Sequence, residues 1–174
     1  MQRNFCCRIR FETAVYFHES KGYLLITIFV DADACPVKNE AIKVAKRYGL
    51  KIYLVSNFKM RIPKDELVET VIVNDHLDAA DDWIVDHIGN KDIAVSADVP
   101  LASRCLKKGA RVLDPNGRVF TEESIGEALA HRDLMTYLRD LGNITSGQTP
   151  RKKRDSSRFL QRLDDLIQAI LRGK

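Results

Sequence analysis

From residue 24 to residue 30 the chain runs Leu-Leu-Ile-Thr-Ile-Phe-Val, a continuous apolar stretch rich in β-branched side chains. With no polar alternation, such a run predicts a strand buried on both faces. Pro36 suits the first turn of a helix. Val37, Ala41, Ile42, Val44 and Ala45 give that helix an apolar stripe, and Gly49 ends it. The same grammar then repeats. Residues 51–55 read as a second strand and 71–73 as a short third. Residues 78–88 read as a helix closed by Gly89, and 92–95 as a fourth strand. Residues 100–108 read as a helix closed by Gly109, and 111–113 as a fifth strand. Strand and helix alternate with short connections, which predicts an α/β fold: a mostly parallel central sheet with helices on both faces.

Beyond this repeat, Asp114-Pro115-Asn116-Gly117 has the composition of a turn. Residues 118–120 suit a short edge strand, and Thr121 an N-cap for a helix through Ala130. A separate helix is expected over 134–141, ending at Gly142, and a loop over 143–150. Residues 157–171 form an amphipathic helix with Phe159, Leu160, Leu163, Leu166, Ile167 and Ile170 on its apolar side. The first 22 residues show no clear period. The expected organisation is an N-terminal appendage, 1–23, and one α/β domain, 24–174.

Composition narrows the class. At 174 residues the chain is long enough for one domain with a full core. With 45% hydrophobic and 30% charged residues it reads as an ordinary globular protein rather than a disordered or membrane-embedded one. Its longest apolar stretch is too short to span a bilayer. Arg3, Arg8, Arg10 and Glu12 near the start argue against a secretory signal, so the expected location is cytoplasmic. Cys6, Cys7, Cys35 and Cys105 form no C-x-x-C pair and no zinc spacing. Cys35 is expected to be a buried packing residue.

The chemistry should lie where the strands end, because open α/β sheets bind ligands outside their carboxyl edges. Asp31 and Asp33 follow the first strand, and Ser56 and Asn57 the second. Asn74, Asp75, Asp78 and Asp81 follow the third, Asp98 the fourth and Asp114 the fifth. Aspartate and asparagine also cap helices and start turns, which would account for Asp75, Asp78 or Asp114 taken singly. Asp31 is different, because it directly follows a fully apolar strand. A carboxylate near a core is costly unless it is paired or bound to a cation. Converging carboxylates without histidine suit Mg²⁺ or Mn²⁺ rather than zinc, and such sites hydrolyse phosphates.

The remaining polar residues add less. His18, His76, His87 and His131 fit no metal-binding helix motif, and only His76, beside the acidic helix start, is placed to touch substrate. Trp83 reads as a packing anchor. No glycine-rich phosphate loop and no nucleophile elbow is present. Net charge is +4, with bases gathered at Lys59, Arg61 and Lys64 and at Arg151, Lys152, Lys153 and Arg154. A basic rim around an acidic pocket suits a polyanionic substrate.

Several segments together resemble the bacterial YaiI/YqxD family. They are Val30-Asp31-Ala32-Asp33-Ala34-Cys35-Pro36-Val37, Leu77-Asp78-Ala79-Ala80-Asp81 and Ala97-Asp98-Val99-Pro100-Leu101-Ala102, followed by Lys108-Gly109-Ala110, Asp114-Pro115 and Thr145-Ser146-Gly147. The resemblance covers residues 26–170. Members are similar to PIN-like and NYN-like nucleases, which bind Mg²⁺ or Mn²⁺ through a few acids on a parallel sheet and cut RNA. It implies a single PIN-like domain, with Asp31 as the first-strand acid, Asp78 and Asp81 as the acids of the middle helix, and Asp98 as the acid after the fourth strand. Asp33 is characteristic of this family rather than of PIN domains. His76 stands where glycine is usual, and Asn116 where arginine is usual.

The resulting expectation is a metal-dependent ribonuclease. Asp31, Asp81 and Asp98 hold the metal. Asp33 and Asp78 act as second ligands or position the attacking water. Asn57, Lys59, Arg61, Arg151, Lys152, Lys153 and Arg154 contact the nucleic acid. RNA is the expected partner, a membrane is not, and the oligomeric state is left open. Two alternatives remain. One is a haloacid-dehalogenase-type phosphatase with Asp31 as nucleophile and Asp33 two residues on, although a distal lysine paired with an acid is missing. The other is a non-catalytic module that docks RNA or protein.

Overall fold

The apolar run becomes the middle of the sheet. In the computed structural model, which describes residues 26–33, 35–62, 65–74, 76, 78–141 and 153–173, strand β1 (Thr27–Asp31) is flanked on both sides by parallel strands. The elements follow in the order α1 (Lys38–Tyr48), β2 (Lys51–Ser56), β3 (Val68–Ile72), α2 (Ala79–His87), β4 (Ile93–Val95), α3 (Val99–Lys107), β5 (Arg111–Leu113), β6 (Val119–Phe120), α4 (Glu122–Asp140) and α5 (Lys153–Leu171). The sheet order is β3-β2-β1-β4-β5-β6, parallel throughout except for β6, which runs antiparallel to β5. The expected α/β architecture is therefore present.

Alternation along β1 explains the two layers of helices. Ile28 and Val30 face one way, with Ile52, Leu54, Ile93 and Val95, and pack under α1 and α5. Phe29 faces the other way, with Val55, Ala94 and Val112, and packs under α2, α3 and the start of α4. Trp83 meets Phe29 and Tyr53 on that second face, the packing anchor its type predicted. Cys35 lies in the first core, also as expected.

Besides shifts of a single residue at several ends, the larger departures from the sequence reading have local reasons. Strand β3 begins at Val68, earlier than 71–73, because Glu69 and Thr70 lie on an exposed edge strand where polar residues are tolerated. Lys51 on β2 pairs with Glu69 at 2.8 Å. The two helices expected over 121–130 and 134–141 are one, α4, since His131-Arg132-Asp133 contains no helix breaker. Thr121 caps it as expected, in a reciprocal hydrogen-bonded box with Ser124. Helix α5 starts at Lys153 rather than 157. Asp92 stands outside β4. Its carboxylate accepts the backbone N–H of Thr27 at 2.9 Å and of Gly89 at 2.8 Å, tying the starts of β1 and β4 together. The appendage 1–23, the loop 143–150, Lys64, Asp75, Arg151 and Lys152 lie outside the described residues. Among the described residues no helix is long and apolar enough to cross a membrane.

Helix α5 is anchored at both ends. Phe159, Leu163, Ile167 and Ile170 enter the core. Near its C-terminal end, Tyr48 donates to Asp164 at 2.8 Å and receives a hydrogen bond from Gln168 at 2.8 Å. Its first turns cross the β5–β6 turn at Gly117, whose φ is 83°. A Cβ there would come within 2.9 Å of the Arg158 Cγ and 3.0 Å of its backbone carbon. This close approach places the start of α5 at the carboxyl edge of the sheet. Gly117→Ala is expected to destabilise the protein by about 1–3 kcal/mol through left-handed strain and overpacking. Chemical denaturation checks this, and an unchanged midpoint would contradict the contact.

Candidate functional site

The sheet changes direction between β1 and β4: from β1 the chain builds outward to β2 and β3, then returns to the other side for β4 and β5. At that switch point the carboxyl ends of β1 and β4 diverge and leave a crevice. Asp31 is the last residue of β1 and is only 6% exposed. The ladder continues past it, with the Ala32 N–H donating to the Val55 carbonyl at 2.8 Å, so its backbone is fixed.

Ser96 follows β4 and is 1% exposed. Its hydroxyl donates to Asp31 Oδ2 at 2.9 Å and accepts the Asp98 backbone N–H at 2.9 Å. One hydroxyl thus links the end of β1 to the start of α3. Sequence reasoning passed over Ser96; the only available signal was a serine at the end of a buried strand, two residues before an aspartate. Asp98 itself caps α3, with Oδ1 accepting the Leu101 N–H at 3.0 Å. Its Oδ2 lies 4.0 Å from an Arg132 nitrogen on α4.

Helix α2 supplies the other acids. Asp78 occupies its N-cap position, yet its side chain makes no cap hydrogen bond and its φ is 61°. The simple capping explanation for Asp78 therefore fails. The left-handed backbone, at a cost of about 1 kcal/mol, re-aims the chain as it enters the helix. Asp81 is half-buried in the first turn. Burial pushes its carboxyl up from the ordinary 3.8 to about 6, reinforced by the negative charges of Asp98, Asp31 and Asp78 and opposed by Arg104. Asp81 therefore feels the charges of three other aspartates, from the end of β1, the α2 N-cap and the α3 N-cap.

The other expected residues separate into two groups. Asp33 is exposed, and its Oδ2 accepts the Asn57 N–H at 2.8 Å, joining the loops after β1 and β2. The half-buried Asn57 carries a buried Oδ1 that has no hydrogen-bond partner among the described residues. Lys59 and Arg61 are exposed on the loop after β2, at the same edge, and Arg154 is exposed in the first turn of α5. His76 is exposed beside α2. Asp114 serves its turn, accepting the N–H groups of Asn116 at 2.8 Å and Arg118 at 2.7 Å. The Cys105 thiol is pushed up to about 12, chiefly by burial, which removes it from thiolate chemistry.

Among the described residues no three histidine, cysteine or acidic side chains stand as a complete ligand set for one ion. A preformed cage of the calcium or zinc type is thus absent among these residues. A strongly hydrated ion such as Mg²⁺, which keeps several waters and is held by one or two carboxylates, does not require such a set.

The model of the family described as "Uncharacterized BCR, YaiI/YqxD family" matches residues 29–169, which contain all four aspartates. A UPF0178 protein of Rhodospirillum centenum is 52% identical over 154 residues, covering 86% of this chain and 100% of that protein. One from Rhodospirillum rubrum is 51% identical over 148 residues, covering 84% and 99%. One from Rhodopseudomonas palustris is 53% identical over 150 residues, covering 86% and 95%. No solved structure matches the chain.

A pH dependence follows from Asp81. A carboxyl whose folded value is raised binds its proton more tightly in the folded state. Its ionisation therefore costs metal-free protein stability as pH climbs from about 4 to about 6, and the cost persists above that. Asp81→Asn is expected to stabilise the metal-free protein at pH 7.5 by on the order of 1 kcal/mol, after allowing for solvent screening. The gain should vanish near pH 4. Thermal melts in EDTA check it, and a destabilised variant at pH 7.5 would contradict the repulsion.

Proposed function

The chain belongs to the YaiI/YqxD family, and on that premise we propose that it is a cytoplasmic nuclease that hydrolyses RNA phosphodiesters with Mg²⁺ or Mn²⁺. The observation that carries this reading is the placement of Asp31, Asp78 and Asp98 around the half-buried Asp81 at the carboxyl edge, where their charges add to the burial that raises its carboxyl to about 6. Asp31 together with Asp81 or Asp98 would hold the ion, which keeps several of its waters, and the remaining acids, Asp78 among them, would orient those waters. When bound, the ion supplies Lewis-acid polarisation of the phosphate and a water of lowered pKa.

The protein's own groups do the rest. Ser96 fixes the Asp31 carboxylate by donating to Oδ2 and fixes the Asp98 backbone by accepting its N–H. Asp33 is committed through one oxygen to the Asn57 N–H, so its part is to hold the two loops that border the site. Lys59, Arg61 and the start of α5 place positive charge on the same edge as the acids. The burial of Asp31 and its bond to Ser96 count against a phosphatase, whose nucleophile must reach an incoming phosphoryl group.

The test is incubation of purified protein with labelled single-stranded RNA and Mn²⁺. Cleavage is expected, and EDTA should abolish it. Asp98→Asn keeps a good N-cap, so the fold should survive while cleavage falls by on the order of 100-fold or more. Ser96→Ala, which removes the hydroxyl that donates to Asp31, should cost roughly 10- to 100-fold. Unchanged cleavage in Asp98→Asn, or none in the wild type with either metal, contradicts the proposal.

A further inference from the structure

Two grooves flank the aspartates, and they differ in charge. One, about 500 Å³, runs between β3 and α2 and is bordered by Asp82, Asp86 and His76, with no lysine or arginine among the described residues of its wall. The other, about 340 Å³, lies between the β5–β6 turn and α4. Both fall in the size range of ligand clefts, roughly 300–1,000 Å³.

The second groove lies beside the site: Ala97 and Val99, the chain neighbours of Asp98, form one wall. Arg118, Arg132 and His131 line the others, and Arg132 is the side chain that reaches to 4.0 Å from Asp98. Two acids also face this groove, Asp114 and Glu127. The Asp114 charge is already engaged by the N–H groups of Asn116 and Arg118. Arg118 has its guanidinium 5.2 Å from the centre of the Phe120 ring. Resting on that ring, it is a planar cation held in a preset orientation, the kind of surface on which an unpaired base stacks. Arg158 and Arg154, on α5 beside the same turn, continue the positive charge outward.

We propose that this groove, with Arg118 and Arg132 as its contacts, is the seat of single-stranded RNA next to the reacting phosphate, so that the strand leaves the aspartates toward α4 and α5 and not toward α2 and β3. Arg132 neutralises Asp98 when no RNA is present and exchanges that contact for a backbone phosphate when RNA enters. Arg118 stacks on a base. The groove's place beside the site gives this seat its purpose only if the nuclease reading holds.

Fluorescence anisotropy with a labelled oligouridylate, in EDTA at low salt, reads binding without turnover. Arg118→Ala and Arg132→Ala are each expected to weaken binding by roughly tenfold. Loss of a phosphate contact in Arg132→Ala should also lower the slope of log affinity against log salt by about 0.7. Asp86→Ala, on the opposite groove, should leave binding unchanged. The proposal is overturned if the arginine double variant, folded by circular dichroism, binds like wild type, if duplex RNA binds better than the single strand, or if wild type binds no RNA. Loss of binding in the arginine variants without any cleavage by wild type would retain the groove and remove the nuclease. Cleavage that is indifferent to both arginines would do the reverse.

Discussion

Like charges brought to the end of a buried strand are the constraint around which this molecule is arranged. Asp31 completes a strand whose other residues are almost wholly apolar, and it is nearly as buried as they are. Bringing Asp81 and Asp98 beside it adds repulsion that no contact among the described residues removes in full. Such an arrangement persists only where surrounding structure fixes it. Here the fixing elements are the parallel ladders on both sides of β1, the Ser96 bridge to α3 and the left-handed entry into α2 at Asp78. A helix core under each face of the sheet supplies the stability that this edge consumes.

The sheet also accounts for the asymmetry of the surface around the acids. On the β2–β3 side the edge strand is exposed, and the neighbouring helix face carries Asp82 and Asp86. Arg104 of α3 clamps Asp82 at 2.6 Å, which ties α2 to α3. On the β5 side the antiparallel β6, the long α4 and the start of α5 gather around Gly117. That side carries Arg118, Arg132, Arg154 and Arg158, and Arg132 reaches to 4.0 Å from Asp98. Substrate polarity on this account is a product of topology: the return strand β4 and its successors bring the cations.

Legibility in the sequence followed burial. β1 could be read because both its faces are covered, which leaves no polar interruption, and Asp31 stood out for the same reason. The strand at 111–113 was recovered at its bounds. β3 was misplaced because an exposed edge strand carries Glu69 and Thr70, and its support comes from Lys51, far away in the chain. α4 was divided because its C-terminal half is exposed and shows no apolar stripe to follow. In the site, Asp114 was recognisable as a turn residue from local spacing, whereas the cap was sought at Asp78 and stands at Asp98. The contact of Asp33 with the Asn57 backbone was not legible, because that partner lies on another loop. Ser96, Arg118 and Arg132 escaped because a serine or an arginine acquires meaning only from the side chain that folding sets opposite it.

The central claim is that the aspartates at the β1–β4 switch point face one another in order to share a cation. Anomalous-difference maps from crystals soaked in Mn²⁺ test this most directly. The account predicts a peak at the carboxyl edge of β1, bound by Asp31 with Asp81 or Asp98 and completed by water. A protein that shows no peak there at millimolar Mn²⁺, or whose ion sits elsewhere while Asp81 remains protonated, would contradict it.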